Sequence, residues 1–243
     1  LTSRQVAFEE QFTVRAVRHA VTSPDGNTLV FSADGSLWRK KLPDGKPEKL
    51  TSSVRAENES YPHGKHHEFE PSWSPDGQSI VFVSWSDENL GAVWLLNYRT
   101  ASLRRLPTEK GIFRTPSFSP DGKSIVYRKQ GGDDELGFAY GKKPGIYVLE
   151  LSAKSAKFVS ENGDNPRFSA DGKRIVVSTG GYLFGALDKS LKSYDLNGQD
   201  EQVHFKSKYV NQWSPSPDGK WLAFSELHKV YVCAMPPAGH TID

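Results

Sequence analysis

Trp73-Ser74-Pro75-Asp76-Gly77-Gln78-Ser79-Ile80-Val81-Phe82 is the segment from which the fold can be inferred. Its Ser-Pro-Asp-Gly segment has turn chemistry, because Pro presets φ, Asp bonds the backbone that follows it, and Gly accepts positive φ. The apolar, β-branched run after the turn predicts a strand. The aromatic residue before the turn indicates a second strand, so the stretch predicts a β-hairpin.

This hairpin recurs five times along the 243 residues. The turns begin at Ser23, Ser74, Ser119, Ser169 and Ser216, with spacings of 51, 45, 50 and 47 residues. A third strand is predicted at residues 36–41, 92–98, 145–151, 192–196 and 229–234, and a fourth at 48–51, 102–107, 157–160 and 201–205. Four antiparallel strands in such a repeat form a propeller blade. The sequence predicts an all-β fold, a β-propeller of four-stranded antiparallel blades with five visible repeats.

The repeats also predict the domain organisation. We place one domain over residues 1–243, with blades at approximately 16–52, 69–107, 115–160, 165–206 and 210–243. Residues 5–14 have the pattern of a further strand. Because the fifth repeat lacks an obvious outer strand, residues 5–14 are a candidate for the strand that would close the ring.

Composition excludes several classes of protein. The formal net charge is +2, so no nucleic-acid partner is expected. No run of about 18 apolar residues occurs, so no membrane insertion is expected. Cys233 is the single cysteine, which excludes an intrachain disulfide framework and a thiolate zinc site. The first residue is Leu1, from which we expect that a leader was removed or that the chain was trimmed.

The repeat at residues 73–82 resembles the WD-like repeat of TolB-type β-propellers. Residues 12–15, 70–73 and 165–168 add a resemblance to the propeller that precedes a metal-dependent amidohydrolase domain in long bacterial proteins. This resemblance implies a non-catalytic scaffold or partner-binding module, the N-terminal part of a larger periplasmic or secreted protein. Its expected partner is a protein or the adjoining hydrolase domain.

The blade count departs from that resemblance. TolB-type propellers have six blades, so five turns predict an incomplete six-bladed ring. A ring left open exposes the edges of its first and last blades, and dimerisation through those edges is then expected. Two other functions stay open: a free-standing periplasmic TolB-like protein that binds protein partners, and a metal-dependent propeller lyase or hydrolase.

Three cationic residues are candidates for ligand binding near the propeller axis. His19, Arg114 and Arg167 stand in or just before predicted innermost strands. There they would receive an anionic group from a ligand or an inserted peptide. The alternative is that they pair with buried carboxylates or line a water-filled channel.

The long segments at residues 52–68, 130–144 and 180–190 are candidates for recognition, because long loops on a rigid frame often carry it. Within them, Tyr140, Tyr182 and Phe184 are aromatic candidates for a docking surface. An equally open alternative for the loop aromatics is that they cover the end of the channel.

His63, His66, His67 and Glu68 form a compact set of nitrogen and carboxylate groups. Such groups suit a divalent metal such as zinc, which is the one cofactor that the sequence suggests. The favoured alternative is a set of solvated loop histidines. No nucleophile elbow Gly-x-Ser-x-Gly occurs, and no catalytic residue is assigned.

Overall fold

A computed structural model describes residues 16–52, 54–57, 61, 66–131, 143–180 and 188–236. Blade 1 contains β1 (Arg18–Thr22), β2 (Thr28–Ala33), β3 (Ser36–Lys41) and β4 (Glu48–Lys49). Blade 2 contains β5 (Arg55–Ala56), β6 (His67–Trp73), β7 (Ser79–Ser86), β8 (Leu90–Asn97) and β9 (Ser102–Arg105). Blade 3 contains β10 (Phe113–Phe118), β11 (Ser124–Lys129), β12 (Gly145–Glu150) and β13 (Lys157–Ser160). Blade 4 contains β14 (Asp164–Phe168), β15 (Arg174–Thr179), β16 (Lys189–Asp195) and β17 (Gln202–Ser207), and blade 5 contains β18 (Val210–Pro215), β19 (Trp221–Glu226) and β20 (Lys229–Ala234).

The sheets confirm the predicted all-β propeller with five blades. Blades 1, 3 and 4 are four-stranded antiparallel sheets whose strands neighbour one another in chain order. Blade 2 has a fifth strand, β5, which runs parallel to β9 along its outer edge. The sequence analysis missed this strand. Blade 5 has three strands within the described residues. Residues 5–14, the expected ring-closing strand, lie outside the described part of the chain.

Apolar contacts between successive blades form the core. One cluster joins blades 1 and 2 around Leu37, Ile80 and Phe82. Similar clusters join blades 2 and 3, blades 3 and 4, and blades 4 and 5. Each blade therefore buries its apolar faces against its neighbours, as repeat architectures do.

Successive turns also lie against one another and thereby connect neighbouring blades. A Cβ at Gly77 would lie 3.5 Å from Pro24 of the preceding turn, and a Cβ at Gly122 would lie 3.7 Å from Pro75. A Cβ at Gly26, in the first turn, would meet no atom within 4 Å. Within the described part of the chain, the first turn thus has no preceding turn packed on it.

Blade 5 also has an unpacked face. Trp221, Val230 and Val232 are 53%, 77% and 65% exposed. Cross-strand pairing places these side chains on the face opposite Leu222, which packs toward blade 4. The described row of blades therefore has an uncovered apolar face at its last blade.

A bulge in the innermost strand positions the residues of the channel. The pairing register of the first two strands shifts in every blade. In blades 1 to 4 the residue four positions before the turn serine has positive φ: His19, Glu70, Thr115 and Asn165. Bulges re-aim side chains and are frequent beside functional sites.

Within the described residues, no helix is long and apolar enough to cross a membrane.

Candidate functional site

The innermost strands of all five blades line a cavity of about 780 Å³. The residues four positions before each turn serine all face it: His19, Glu70, Thr115, Asn165 and Gln212. The cavity thus occupies the centre of the propeller, where the bulged strands converge. We call it the central channel.

Glu70 and Arg114 form the strongest polar contact beside the channel. Arg114 Nε and Nη2 donate to Glu70 Oε1 at 2.8 and 2.5 Å, and the Thr115 amide donates to Oε2 at 2.5 Å. The hydrogen bond to Glu70 raises the pKa of Arg114. Arg114 therefore links blade 3 to blade 2, as the carboxylate-pairing alternative predicts.

His19 lies on the other side of the same carboxylate. Its Nε2 is 3.9 Å from Glu70 Oε1, and its Nδ1 is 3.3 Å from Ser32 Oγ. Burial lowers the pKa of His19, and this outweighs the opposite influence of Glu70. Because its pKa is lowered, the charged form of His19 is disfavoured, and His19 is a weaker candidate for anion binding than an arginine.

Arg167 differs from both. It lines the channel, and among the described residues no hydrogen bond or ion pair to its guanidinium is found. Its side chain touches solvent in the channel, yet the protein around it lowers its pKa by desolvation. Of the three cationic candidates, Arg167 is thus the one whose charge is left for a ligand.

The sequence analysis missed three charged residues of the channel lining: Glu70, Asp164 and Lys189. Asp164 lies with its Oδ1 3.7 Å from Arg128 Nε. Lys189 Nζ donates to the Val210 carbonyl at 2.6 Å. Asp164 stands five residues before its turn serine, as Arg114 does, so alignment of the repeats would have found it. Lys189 follows a long connection and has no such signal.

Part of the candidate metal set lies in a strand, whereas the sequence predicted a loop. Glu68 lies in β6, is 5% exposed, and accepts bonds from the Leu37 amide at 2.7 Å, from Thr51 Oγ1 and from the Tyr61 hydroxyl. Burial raises the pKa of Glu68, but its hydrogen bonds from His66 and these groups outweigh burial and lower it. The Glu68 carboxylate therefore links blades 1 and 2.

The histidines of that set do not converge in the described structure. His66 Nε2 is 3.3 Å from Glu68 Oε1, and the His66 side chain is 2% exposed. His67 is exposed, and its ring occupies space beside Gly35. The expectation of solvated loop histidines is thus wrong for His66. His63 lies outside the described residues, among which no group of three His, Cys, Asp or Glu side chains could hold a metal ion.

The aromatic loop candidates Tyr140, Tyr182 and Phe184 lie outside the described residues. Docking at these aromatics stays a prediction from the sequence.

One described pair has the hydrogen bond of a nucleophile and its base. Ser193 Oγ is 2.7 Å from His204 Nε2. However, Ser193 is 0% exposed, and Arg174 Nε donates to the same hydroxyl at 2.8 Å. The pair lies in β16 and β17 of blade 4, away from the innermost strand, and packs the interior of the blade.

Comparison with known proteins identifies the repeats. The sequence profile described as TolB beta propeller domain matches residues 44–232. A search of curated proteins finds no match. Among solved structures, a candidate TolB from Agrobacterium tumefaciens is similar at 22% identity and a TM-score of 0.67, over 92% of this chain and 78% of that one.

Two further structures have the same fold. TolB from Acinetobacter baumannii is 20% identical with a TM-score of 0.62, over 90% of this chain and 52% of that one. An oligogalacturonate lyase in complex with manganese is 14% identical with a TM-score of 0.65, over 89% of this chain and 61% of that one. The chain thus spans about half to four-fifths of the length of these three proteins. At these identities the likeness shows the fold alone.

Proposed function

Since the chain belongs to the TolB beta propeller domain family, we propose that it is a non-catalytic scaffold that binds a protein partner at its central channel. The observation that carries this proposal is the channel itself. All five innermost strands contribute to it, and its lining includes charged and polar side chains and is open to solvent. Such a channel on a rigid frame suits recognition by inserted side chains.

The chemistry of the described channel residues favours binding over catalysis. Glu70 has its carboxylate committed to Arg114 and Thr115, and burial lowers the pKa of His19. The hydroxyl beside His19, Ser32 Oγ at 3.3 Å from Nδ1, belongs to a buried residue outside the described channel lining, so it is not placed to attack a ligand in the channel. The metal-dependent lyase alternative gains no support from Glu68, whose hydrogen bonds join it to Leu37, Thr51 and Tyr61.

We also propose a larger setting for this module. In it, the chain is the N-terminal propeller of a longer bacterial amidohydrolase-type protein in the periplasm or outside the cell. The adjoining hydrolase domain is its partner, and a sixth blade covers the exposed face of Trp221 and Val232. The intact mass of the natural protein tests this setting, because a mass near the 27.1 kDa of this chain would contradict it.

A free-standing periplasmic TolB-like protein is the second candidate. The similarity to TolB structures, which extends over at least 90% of this chain, favours it. A natural mass that fits one additional small domain, without a hydrolase domain, would select this candidate.

Site-specific crosslinking tests the binding role. A photo-crosslinking amino acid in place of Gln212 faces the channel, and one in place of Lys206 lies on the exposed outer strand of blade 4 as a matched control. In source cells, the Gln212 position is expected to crosslink to one defined protein or adjoining domain, and the Lys206 position is not. Equal crosslinking at both positions, or none at Gln212, contradicts the proposal. Crosslinks to a second copy would instead support dimerisation through open blade edges.

A further inference from the structure

At one position of the channel lining, blade 4 has a different kind of residue from the other four blades. The residue two positions before the turn serine is short in four blades, and these four residues are Val21, Ser72, Ser117 and Ser214. In blade 4 the same position holds Arg167. Because these residues directly precede the turns, they lie at the turn end of the channel. One long cation therefore stands in a ring of short side chains.

The charges around Arg167 are not balanced. Glu70 and Asp164 are the acids of the described lining, and each already has an arginine beside it. Glu70 accepts bonds from Arg114, and Asp164 lies 3.7 Å from Arg128. This pairing leaves Arg167 without a carboxylate among the described residues. Because Arg167 is exposed to the solvent of the channel, a ligand that enters the channel can reach its guanidinium.

Lys189, the other cation of the channel lining without a carboxylate partner among the described residues, lies away from the turn end of the channel. Arg167 pairs across the sheet with Val176, whereas Lys189 precedes the Ser190–Thr179 pair. Val176 and Thr179 are three residues apart along β15, which is about 10 Å, and Lys189 lies one position beyond Ser190, so the two cations are attached more than about 10 Å apart. Lys189 also donates to the Val210 carbonyl at 2.6 Å. At the turn end of the channel, Arg167 is therefore the described group that presents a positive charge.

We propose that Arg167 binds a carboxylate group that enters the channel, an inference that rests on the proposed function and names the chemistry that the channel receives. The planar guanidinium matches a carboxylate with two parallel hydrogen bonds. The hydroxyls of Ser72 and Ser214 on the same ring add donors to such a ligand. A volume of about 780 Å³ lies within the range of small-ligand pockets.

Two sources share this chemistry: a free organic acid, and the Asp or Glu side chain of a partner peptide. The probes are succinate and acetyl-Ala-Glu-Ala-amide, with succinamide and acetyl-Ala-Gln-Ala-amide as their uncharged counterparts. Calorimetric titration measures binding, and the side-chain Nε–H resonance of Arg167 in ¹⁵N-arginine-labelled protein locates it. Tighter binding of the peptide than of succinate would identify a peptide source, and the reverse order a free acid.

The variant Arg167→Gln removes the cation, and Arg39→Gln, in an exposed ion pair of blade 1, is the matched control. We expect the carboxylate probes to bind wild type and Arg39→Gln alike, and to bind Arg167→Gln at least about tenfold more weakly. The uncharged probes are expected to bind none of the three. The Nε–H resonance of Arg167 in wild type is expected to shift with the carboxylate probes, a readout that does not require the variant to fold.

Equal binding by Arg167→Gln, no binding by wild type, or an unmoved Arg167 resonance would overturn the inference. If crosslinking at Gln212 still captures a partner in that case, the proposed function survives and only the role of Arg167 fails. If carboxylates bind and the crosslink is absent, the binding role for a protein fails and the anion site stands.

Discussion

Blade 2 and blade 5 share the same Ser-Pro-Asp-Gly turn but differ in how their strands are buried. In β7 of blade 2, Ile80, Val81, Phe82 and Val83 are all fully buried, so both faces of the sheet are covered. In blade 5, Leu222 is fully buried on one face, while Trp221 and Val232 on the other are exposed. This indicates that local sequence forms the strands, and that neighbouring blades supply their burial.

The greatest loss of stability is expected where a substitution leaves a cavity between blades 1 and 2. Phe82→Ala removes a fully buried ring from the cluster that joins them and is expected to cost about 3–5 kcal/mol of unfolding free energy. Val232→Ala in blade 5 is the matched control and is expected to change stability by less than about 0.5 kcal/mol. Urea unfolding of both variants measures the difference. Equal losses would show that the exposed face of blade 5 is covered in solution.

A smaller effect is expected at the polar link between blades 1 and 2. Glu68→Gln weakens the buried bonds with Leu37, Thr51 and Tyr61, and is expected to cost about 1–3 kcal/mol. Glu48→Gln, in an exposed pair with Arg39, is the control and should cost under about 1 kcal/mol.

The pH dependence of that link has a defined sign. The pKa of Glu68 is lower in the folded chain than its ordinary value of 4.5, so the unfolded chain takes up the proton first. The contribution of Glu68 is therefore fully present above pH 4.5 and is lost as the pH falls through the folded pKa. The stability gap between wild type and Glu68→Gln should narrow below pH 4.5. A gap that is constant down to pH 2.5 would contradict the lowered pKa of Glu68.

The smallest effect concerns a feature that the two blades share. Hydrogen bonds from Ser74 and Ser216 lower the pKa values of the turn residues Asp76 and Asp218, in blades 2 and 5 respectively. Because the cause lies within each turn, NMR titration should find both pKa values below the ordinary 3.8. An ordinary pKa for Asp218 alone would show that the blade 5 turn depends on a neighbour as well.

Features that depend on local chemistry were predictable from the sequence. Five turns with the same tetrapeptide pattern predicted five blades, and the second strand of each blade begins five residues after its turn serine. The parallel strand β5 was not predictable, because it has two residues and pairs with Ser102 and Leu103, more than 45 positions away.

The site was predictable only in part, for the same reason. The sequence placed Arg114 and Arg167 near the axis, but it could not tell which of them has a carboxylate partner. Glu70 reaches Arg114 because a bulge turns it toward the next blade. The burial of Glu68 likewise depends on Leu37 and Thr51, which belong to another blade. Contacts between distant segments decide both.

Hydrogen–deuterium exchange of the whole chain tests whether neighbouring blades supply the burial of each strand. Amides of β7, a central strand between covered faces, are expected to be protected over the full time course. Amides of β20, the edge strand of blade 5 in the described residues, are expected to exchange early. Slow exchange in both strands would contradict the dependence of burial on neighbouring blades, because the edge and the exposed face of blade 5 would then be covered.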